Sequence, residues 1–165
     1  MTRRHLVFLL GEQGLGAAVI NVGINAGIAW LAFRKLAEVP LWGAQSIVLD
    51  TIATCFMLPF MTCVISTPVI RWQVSTLKLP HLSWRRLEHR TLGRLPPGTF
   101  RRAVVLGLFG LAIAVPTIAG LALAGVGPLS FQQFVVFKAL YAAVLASLFS
   151  PVIALCVLGD IPPKV

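Results

Sequence analysis

Acidic side chains are scarce in this sequence of 165 residues. It holds five Asp and Glu against 14 Lys and Arg, which gives a formal net charge of +9. The acids are scattered, so no two carboxylates lie close enough in sequence to suggest a general acid–base pair. The sequence also lacks a glycine-rich phosphate loop and a nucleophile–base–acid constellation. It therefore offers no assignable catalytic residues.

Cysteine is also scarce, and its pattern argues against two kinds of chemistry. The three cysteines, Cys55, Cys63 and Cys156, lie in apolar stretches without a C-x-x-C motif. A thiol-redox enzyme or a zinc site would need paired cysteines or histidine partners, so we interpret the three as small, buried apolar residues. His81 and His89 also lack a spacing that suggests a metal site. No metal or other cofactor is expected.

Long stretches of the chain carry no charged side chain at all. One runs for 35 residues between Arg102 and Lys138, and three others of bilayer length lie at 13–33, 51–70 and 139–159. A helix needs about 20 apolar residues to cross a hydrocarbon core. The sequence therefore predicts an all-α fold, an integral membrane four-helix bundle made of two transmembrane hairpins. The single domain covers 1–165, with spans at about 6–33, 41–70, 103–125 and 131–158 and a basic loop at 71–102.

The basic residues predict how the chain is oriented. The loop at 71–102 contains eight Lys and Arg against one acid, and Arg3 and Arg4 make the N-terminus basic. Positive residues flank the cytoplasmic ends of membrane helices, so both termini and this loop are expected in the cytoplasm. Arg34 and Lys35 oppose this orientation but are outnumbered. The expected location is an inner or plasma membrane, and the same flanking pattern argues against a nucleic-acid partner.

Within the loop, the sequence predicts a basic amphipathic helix that lies along the membrane surface. Trp84, Leu87, Thr91 and Leu95 share one face by helical spacing, while arginines occupy other faces. Such a helix suits the anionic headgroups of the lipid bilayer. The alternative is a docking site for a protein partner. The arginines expected to make these contacts are Arg85, Arg86, Arg90 and Arg94.

Asp50 and Lys138 are the sharpest candidates for a polar site inside the membrane. They lie at the same distance from Pro40 and Pro128, which open the second and fourth spans. Opposite charges at one depth are expected to pair, because pairing lowers the cost of keeping either in the membrane. The functional interpretation is a polar binding or proton-relay site, and the structural interpretation is an ion pair that fixes helix order. The candidate cluster consists of Asn25, Asp50, Thr54, Lys138 and Tyr141.

Two further residues form a secondary candidate site in the region of the first span. Asn21 precedes Asn25 by one helical turn, on a face of small residues that suits hydrogen bonding across a helix contact. Glu12 stands where the first charge-free stretch begins. It serves either as a proton or cation site or as an interfacial partner of Arg3 and Arg4.

A weak internal repeat links the two hairpins. Counting from Pro40 and from Pro128, Gln45 matches Gln133, Val48 matches Val136, and Asp50 matches Lys138. Both hairpins are expected to start on the same side of the membrane, so the repeat would be parallel. The alternative is chance similarity between apolar helices.

These features favour a non-catalytic membrane subunit, anchor or scaffold. It would work through helix packing and its basic loop, with a protein partner or as a homo-oligomer. The main alternative is a small oligomeric transporter or channel that uses the intramembrane polar cluster. A membrane enzyme of lipid metabolism, whose cationic loop attracts phosphate headgroups, is the third hypothesis.

Overall fold

Four long helices make up most of the structure. The computed structural model describes residues 7–77, 95–96 and 98–160. The all-α prediction is confirmed, and each of the four helices in the described ranges is long and apolar enough to cross a membrane. The helices are α1 (Gly16–Phe33, preceded by π-helical turns over Val7–Leu15), α2 (Ile47–Leu77), α3 (Thr99–Leu123) and α4 (Phe131–Asp160). Two short strands are β1 (Glu38–Val39) and β2 (Leu129–Ser130).

The turns of the two hairpins lie together at one end of the structure. β1 and β2 pair there in antiparallel orientation, with Glu38 opposite Ser130 and Val39 opposite Leu129. Both hairpins therefore turn at the same end, which we call the turn end. The opposite end, where α2 finishes and α3 begins, is called the loop end.

The second helix begins later than the sequence suggests, at Ile47 rather than near residue 41. The preceding residues form a turn in which Gly43 has a φ of 122°, a value that side chains disfavour. The Ser46 hydroxyl then accepts a hydrogen bond from the backbone N–H of Leu49 at 3.3 Å and caps the helix. At the loop end, α2 and α3 both continue past the charge-free stretches that predicted them.

The helices pack in the order α1, α4, α2, α3. The fourth helix packs against both α1 and α2, and α2 packs against both α4 and α3. The first helix of each hairpin thus has its main contact with the second helix of the other hairpin. Sequence neighbours within a hairpin touch far less.

Apolar side chains fill these contacts. At the turn end, the rings of Phe33 on α1 and Phe134 on α4 lie with centroids 4.6 Å apart, next to the buried Ile47 of α2. A second core continues toward the loop end and includes Leu145 and Ile153 of α4. The central position of α4 follows from its burial on two sides.

The third helix approaches α2 most closely at two glycines. A Cβ on Gly107 would lie 2.8 Å from the Phe56 ring, and one on Gly110 would overlap the Cys55 carbonyl oxygen. Pro59 has no N–H, so it leaves the Cys55 carbonyl without its intrahelical donor and open to this approach. The two glycines therefore set the distance between α2 and α3.

The outward surface of the helices is also apolar. Val19 and Leu31 on α1 and Val115 and Leu123 on α3 are each at least 67% exposed. A protein in water rarely exposes apolar patches of this extent, whereas lipid chains accept them. The four apolar helices are compatible with an integral membrane protein.

Candidate functional site

An ion pair joins the two central helices near the turn end. The Lys138 ammonium of α4 contacts the Asp50 carboxylate of α2, and the two side chains are 4% and 14% exposed. Asp50 lies in the first turn of α2, where the positive end of the helix dipole favours a carboxylate. The sequence predicts that these residues pair, and the structure places them in contact.

The depth of this pair follows from the position of Lys138 in its helix. Lys138 is seven residues past Phe131, the start of α4, which corresponds to about 10 Å of helical rise. The pair therefore lies in the part of the helices nearest the turn end. It connects α2 to α4 at the contact where the two hairpins meet.

Tyr141 forms a separate polar contact one turn farther along α4. Its hydroxyl lies 2.9 Å from the Cys55 sulfur of α2 and 3.1 Å from the Thr117 hydroxyl of α3. Its ring stacks on Phe137, with centroids 5.7 Å apart. Tyr141 thus joins α4 to both α2 and α3, although α3 and α4 otherwise touch little.

The remaining members of the candidate cluster do not all meet the ion pair. Asn25 is buried, and its side-chain amide donates to the Asn21 carbonyl at 3.0 Å. Asn21 in turn donates to the Ala17 carbonyl at 2.9 Å, so both amides bond within α1. Thr54 is buried on α2, one turn beyond Asp50. The structure therefore brings together Asp50 and Lys138, whereas the Asn25 amide bonds within α1.

A second ion pair, which the sequence analysis missed, joins α3 to α4 at the loop end. A guanidinium nitrogen of Arg102 donates to the Asp160 carboxylate at 2.6 Å, and the side chains are 3% and 28% exposed. In the sequence alone, Arg102 indicates only the orientation of the chain. One feature of the chain could have indicated this pair. Asp160 is one of five acidic residues, and it ends the helix that returns to the level of Arg102.

A glutamine pair, also missed, stands at the same end of the first hairpin. The Gln13 side-chain amide donates to the Gln73 side-chain oxygen at 3.1 Å, and Gln13 is 9% exposed. Glu12, the secondary candidate, is exposed beside it. Its expected partners Arg3 and Arg4 lie outside the described residues. The contact between the helices is thus made by Gln13, the neutral neighbour of Glu12, and not by Glu12.

A separate apolar groove is lined by residues of α3, α4 and the turn between them. It lies at the turn end with a volume of about 570 Å³. Leu121, Leu129, Val136 and Phe137 line it, and neither Asp50 nor Lys138 does. The groove therefore supplies no chamber around the ion pair.

The sequence predicts a basic amphipathic helix within the loop at 71–102. Its arginines, Arg85, Arg86, Arg90 and Arg94, lie outside the described residues. Within the described ranges, no group of three or more His, Cys, Asp or Glu is placed to hold a metal ion. The candidate site therefore consists of the interhelical polar contacts.

We expect that removing the Tyr141 hydroxyl loosens the contact of α4 with α2 and α3. Tyr141→Phe should lower stability by about 1–2 kcal/mol, because the half-buried Thr117 hydroxyl and the buried Cys55 thiol lose a partner. The three buried cysteines provide the readout, since a thiol-reactive dye labels them only as the protein unfolds on heating. Thr76→Val is the matched control, because it removes an exposed hydroxyl that bonds only within α2. Equal melting temperatures for both variants would contradict the role assigned to Tyr141.

No protein-family model, no curated protein and no solved structure matches this chain. Any functional assignment must therefore come from the chain's own residues, and the polar contacts between its helices are the features on which it depends.

Proposed function

We propose that the protein is a non-catalytic module of an inner or plasma membrane, a subunit, anchor or scaffold. Four helices cross the bilayer, both termini and the loop at 71–102 are cytoplasmic, and the turn end faces the opposite side. The module contributes a packed membrane body and a basic cytoplasmic segment. It acts by holding a partner rather than by converting a substrate.

The observation that carries this proposal is the use of buried charges to join helices. Lys138 is committed to Asp50 across the α2–α4 contact, and Arg102 is committed to Asp160 across the α3–α4 contact. Removing one member of a buried pair is costly, so the first pair holds the packed helices α2 and α4 together and the second holds the ends of α3 and α4, which otherwise touch little. A transport site needs charged groups that solvent and substrate reach, whereas Lys138 is 4% exposed.

The basic loop supports the second part of the proposal. It concentrates eight Lys and Arg in 32 residues with one acid. Juxtamembrane positive charge attracts anionic lipid headgroups, by about 1 kcal/mol per residue near the surface. The same charges suit an acidic surface on a cytoplasmic protein. A tethered basic segment of this kind is a recruiting element for a membrane-bound assembly.

The test is extraction of the protein in native nanodiscs, followed by mass spectrometry of what accompanies it and at what ratio. We expect a defined protein partner at a fixed stoichiometry. The triple variant Arg85→Gln/Arg86→Gln/Arg90→Gln should insert normally and lose most of that partner, because its cytoplasmic charge is reduced. The matched control, Arg34→Gln/Lys35→Gln, removes positive charge at the turn end and should retain the partner.

Two results would count against the scaffold. One is recovery of the chain alone, or only with copies of itself, from the wild-type membrane. The other is equal capture of the same partner by the wild type and the triple variant, which would remove the loop from the contact.

A second candidate function, a small transporter or channel, is favoured by two observations. The Asp50 carboxylate is less buried than its lysine, and α2, α3 and α4 each contain an internal proline that permits bending. Proteoliposomes that hold wild-type protein would then pass protons or small cations faster than empty vesicles. Asp50→Asn should abolish that flux and Glu12→Gln should not. Absence of flux above that of empty vesicles would dismiss this candidate.

A further inference from the structure

The two hairpins are related by a constant offset in sequence. Pro40 and Pro128, Gln45 and Gln133, and Asp50 and Lys138 are each separated by 88 residues. Sequence similarity this sparse arises easily by chance between apolar helices. The structure adds four independent geometric observations that follow the same offset.

The first observation is the register of the two short strands. Val39 pairs with Leu129, and Glu38 pairs with Ser130. With the offset of 88 removed, the partners correspond to positions 41 and 42 of the first hairpin. The residue before Pro40 is therefore opposite the residue after Pro128, and the register is centred on the two prolines. A twofold axis between equivalent strands requires this relation.

The second observation is the pattern of helix contacts. The first hairpin contributes α1 and α2, and the second contributes α3 and α4. The contact of α1 with α4 becomes the contact of α3 with α2 when the hairpins are exchanged, and the contact of α2 with α4 maps onto itself. All three major helix contacts obey the exchange.

The third observation is the ion pair itself. Asp50 and Lys138 occupy equivalent positions, and they touch each other. Two equivalent positions of a twofold arrangement meet only where the axis passes. The ion pair therefore marks the axis between α2 and α4.

The fourth observation lies at the loop end. Gln13 joins Gln73 within the first hairpin, and Arg102 joins Asp160 within the second. With the offset removed, Arg102 and Asp160 correspond to positions 14 and 72, each one residue from its glutamine counterpart. Both hairpins thus carry one polar contact between their own two helices at the same height.

We propose that the chain is a fused pair of related hairpins packed around a pseudo-twofold axis along the membrane normal, and that the Asp50–Lys138 pair on this axis makes each hairpin bind the other hairpin and not a copy of itself. This inference concerns the architecture and is independent of the scaffold role proposed above. Two first hairpins would place two carboxylates together on the axis, and two second hairpins would place two ammonium groups there. Like charges in a membrane interior repel strongly, so only the mixed pair is stable.

The first test exchanges the charges on the axis of the full chain. Asp50→Lys alone and Lys138→Asp alone each create a like-charge pair and should lower the melting temperature by roughly 10 °C, or reduce the yield of folded protein several-fold. The double variant Asp50→Lys/Lys138→Asp should regain at least half of the lost melting temperature, because it restores the mixed pair on the axis while moving the carboxylate out of the first turn of α2. The matched control Asp50→Thr/Thr51→Asp keeps the composition but moves the acid off the axis. Its melting temperature should stay as low as those of the single variants.

Each outcome decides the proposal. Recovery by the exchange but not by the off-axis control supports it. An exchange variant as poor in yield or stability as the single variants overturns it, because the positions are then not equivalent. Single variants as stable as the wild type also overturn it, because the axis would then tolerate like charges.

The second test transplants a contact from one hairpin to the other. Gln13→Arg/Gln73→Asp gives the first hairpin the loop-end contact of the second. Symmetry predicts that the double variant melts about 3 °C higher than the sum of the single effects. Glu12→Arg/Gln73→Asp is the control, because Glu12 is exposed, and its effects should be additive. Additive effects in both double variants would contradict the equivalence of the two hairpins.

Discussion

Gly110→Ala is expected to abolish the close contact of α3 with α2. The added methyl group would overlap the Cys55 carbonyl oxygen and lie 2.9 Å from the Pro59 ring. Both obstacles belong to a helix backbone or a proline ring, so no flexible side chain can turn away. We expect a loss of about 3 kcal/mol or more, at the upper end of overpacking effects, and a fall of roughly 10 °C in melting temperature.

The third helix provides its own control for this prediction. Gly120 has no neighbouring atom within 4 Å of the place where a Cβ would stand. Gly120→Ala should therefore be neutral or slightly stabilising, because alanine favours a helix by up to about 1 kcal/mol over glycine. Dye labelling of the buried cysteines on heating measures both variants. If Gly110→Ala and Gly120→Ala had the same melting temperature, the α2–α3 spacing described above would be wrong.

Lys138→Met should destabilise the protein by about 3–5 kcal/mol, because it leaves the Asp50 carboxylate without its partner in a poorly solvated site. The methionine matches the length of the lysine stem, so the change removes charge with little loss of packing. In the same thermal assay, Lys35→Met is the control. Lys35 is exposed at the turn end, and its loss should change stability by no more than about 0.5 kcal/mol.

The double variant Asp50→Leu/Lys138→Met separates the cost of an unpaired charge from the worth of the pair. Replacing both members of a buried pair with apolar residues is often neutral or stabilising. We expect the double variant to regain most of the stability that Lys138→Met loses. A double variant no more stable than Lys138→Met would show that the carboxylate is not the source of the loss.

The helices themselves could be predicted from the sequence because of one physical constraint. Residues that cross a bilayer must avoid charge and must satisfy their backbone groups internally, so charge-free stretches of sufficient length are helices. The pairing of Asp50 with Lys138 could be expected for a related reason. Each lies ten residues past a proline that opens its span, and isolated opposite charges at one depth attract.

The choice of helix neighbours could not be predicted in the same way. In a water-soluble protein, apolar periodicity marks the buried face of a helix. Here Val19 and Leu31 are exposed and apolar, and Ala29 is buried and apolar, so the pattern carries no contrast. Helix contacts in membranes depend instead on small residues and local shape, as at Gly110. That information lies in the partner helix, where Pro59 frees a carbonyl, and not in α3 alone.

Two polar contacts were not predicted from the sequence, for different reasons. Arg102 has the pattern of an orientation signal at the end of a charge-free stretch, and only the fold places Asp160 beside it. Gln13 and Gln73 are neutral and are 60 residues apart, and many such amide pairs are possible in any sequence. Asn25 shows the reverse error, because its amide bonds to the carbonyl one turn earlier in its own helix.

The order of helix packing also determines when the molecule can fold during its synthesis. The main partner of α1 is α4, which begins 98 residues after α1 ends. A ribosome adds about 5–20 residues per second, so α1 is synthesised roughly 5–20 s before α4 begins. The two asparagine side chains of α1 donate to carbonyls of their own helix, so these donors are satisfied without α4. The side-chain donors of α1 thus require no partner from the helix that is synthesised last.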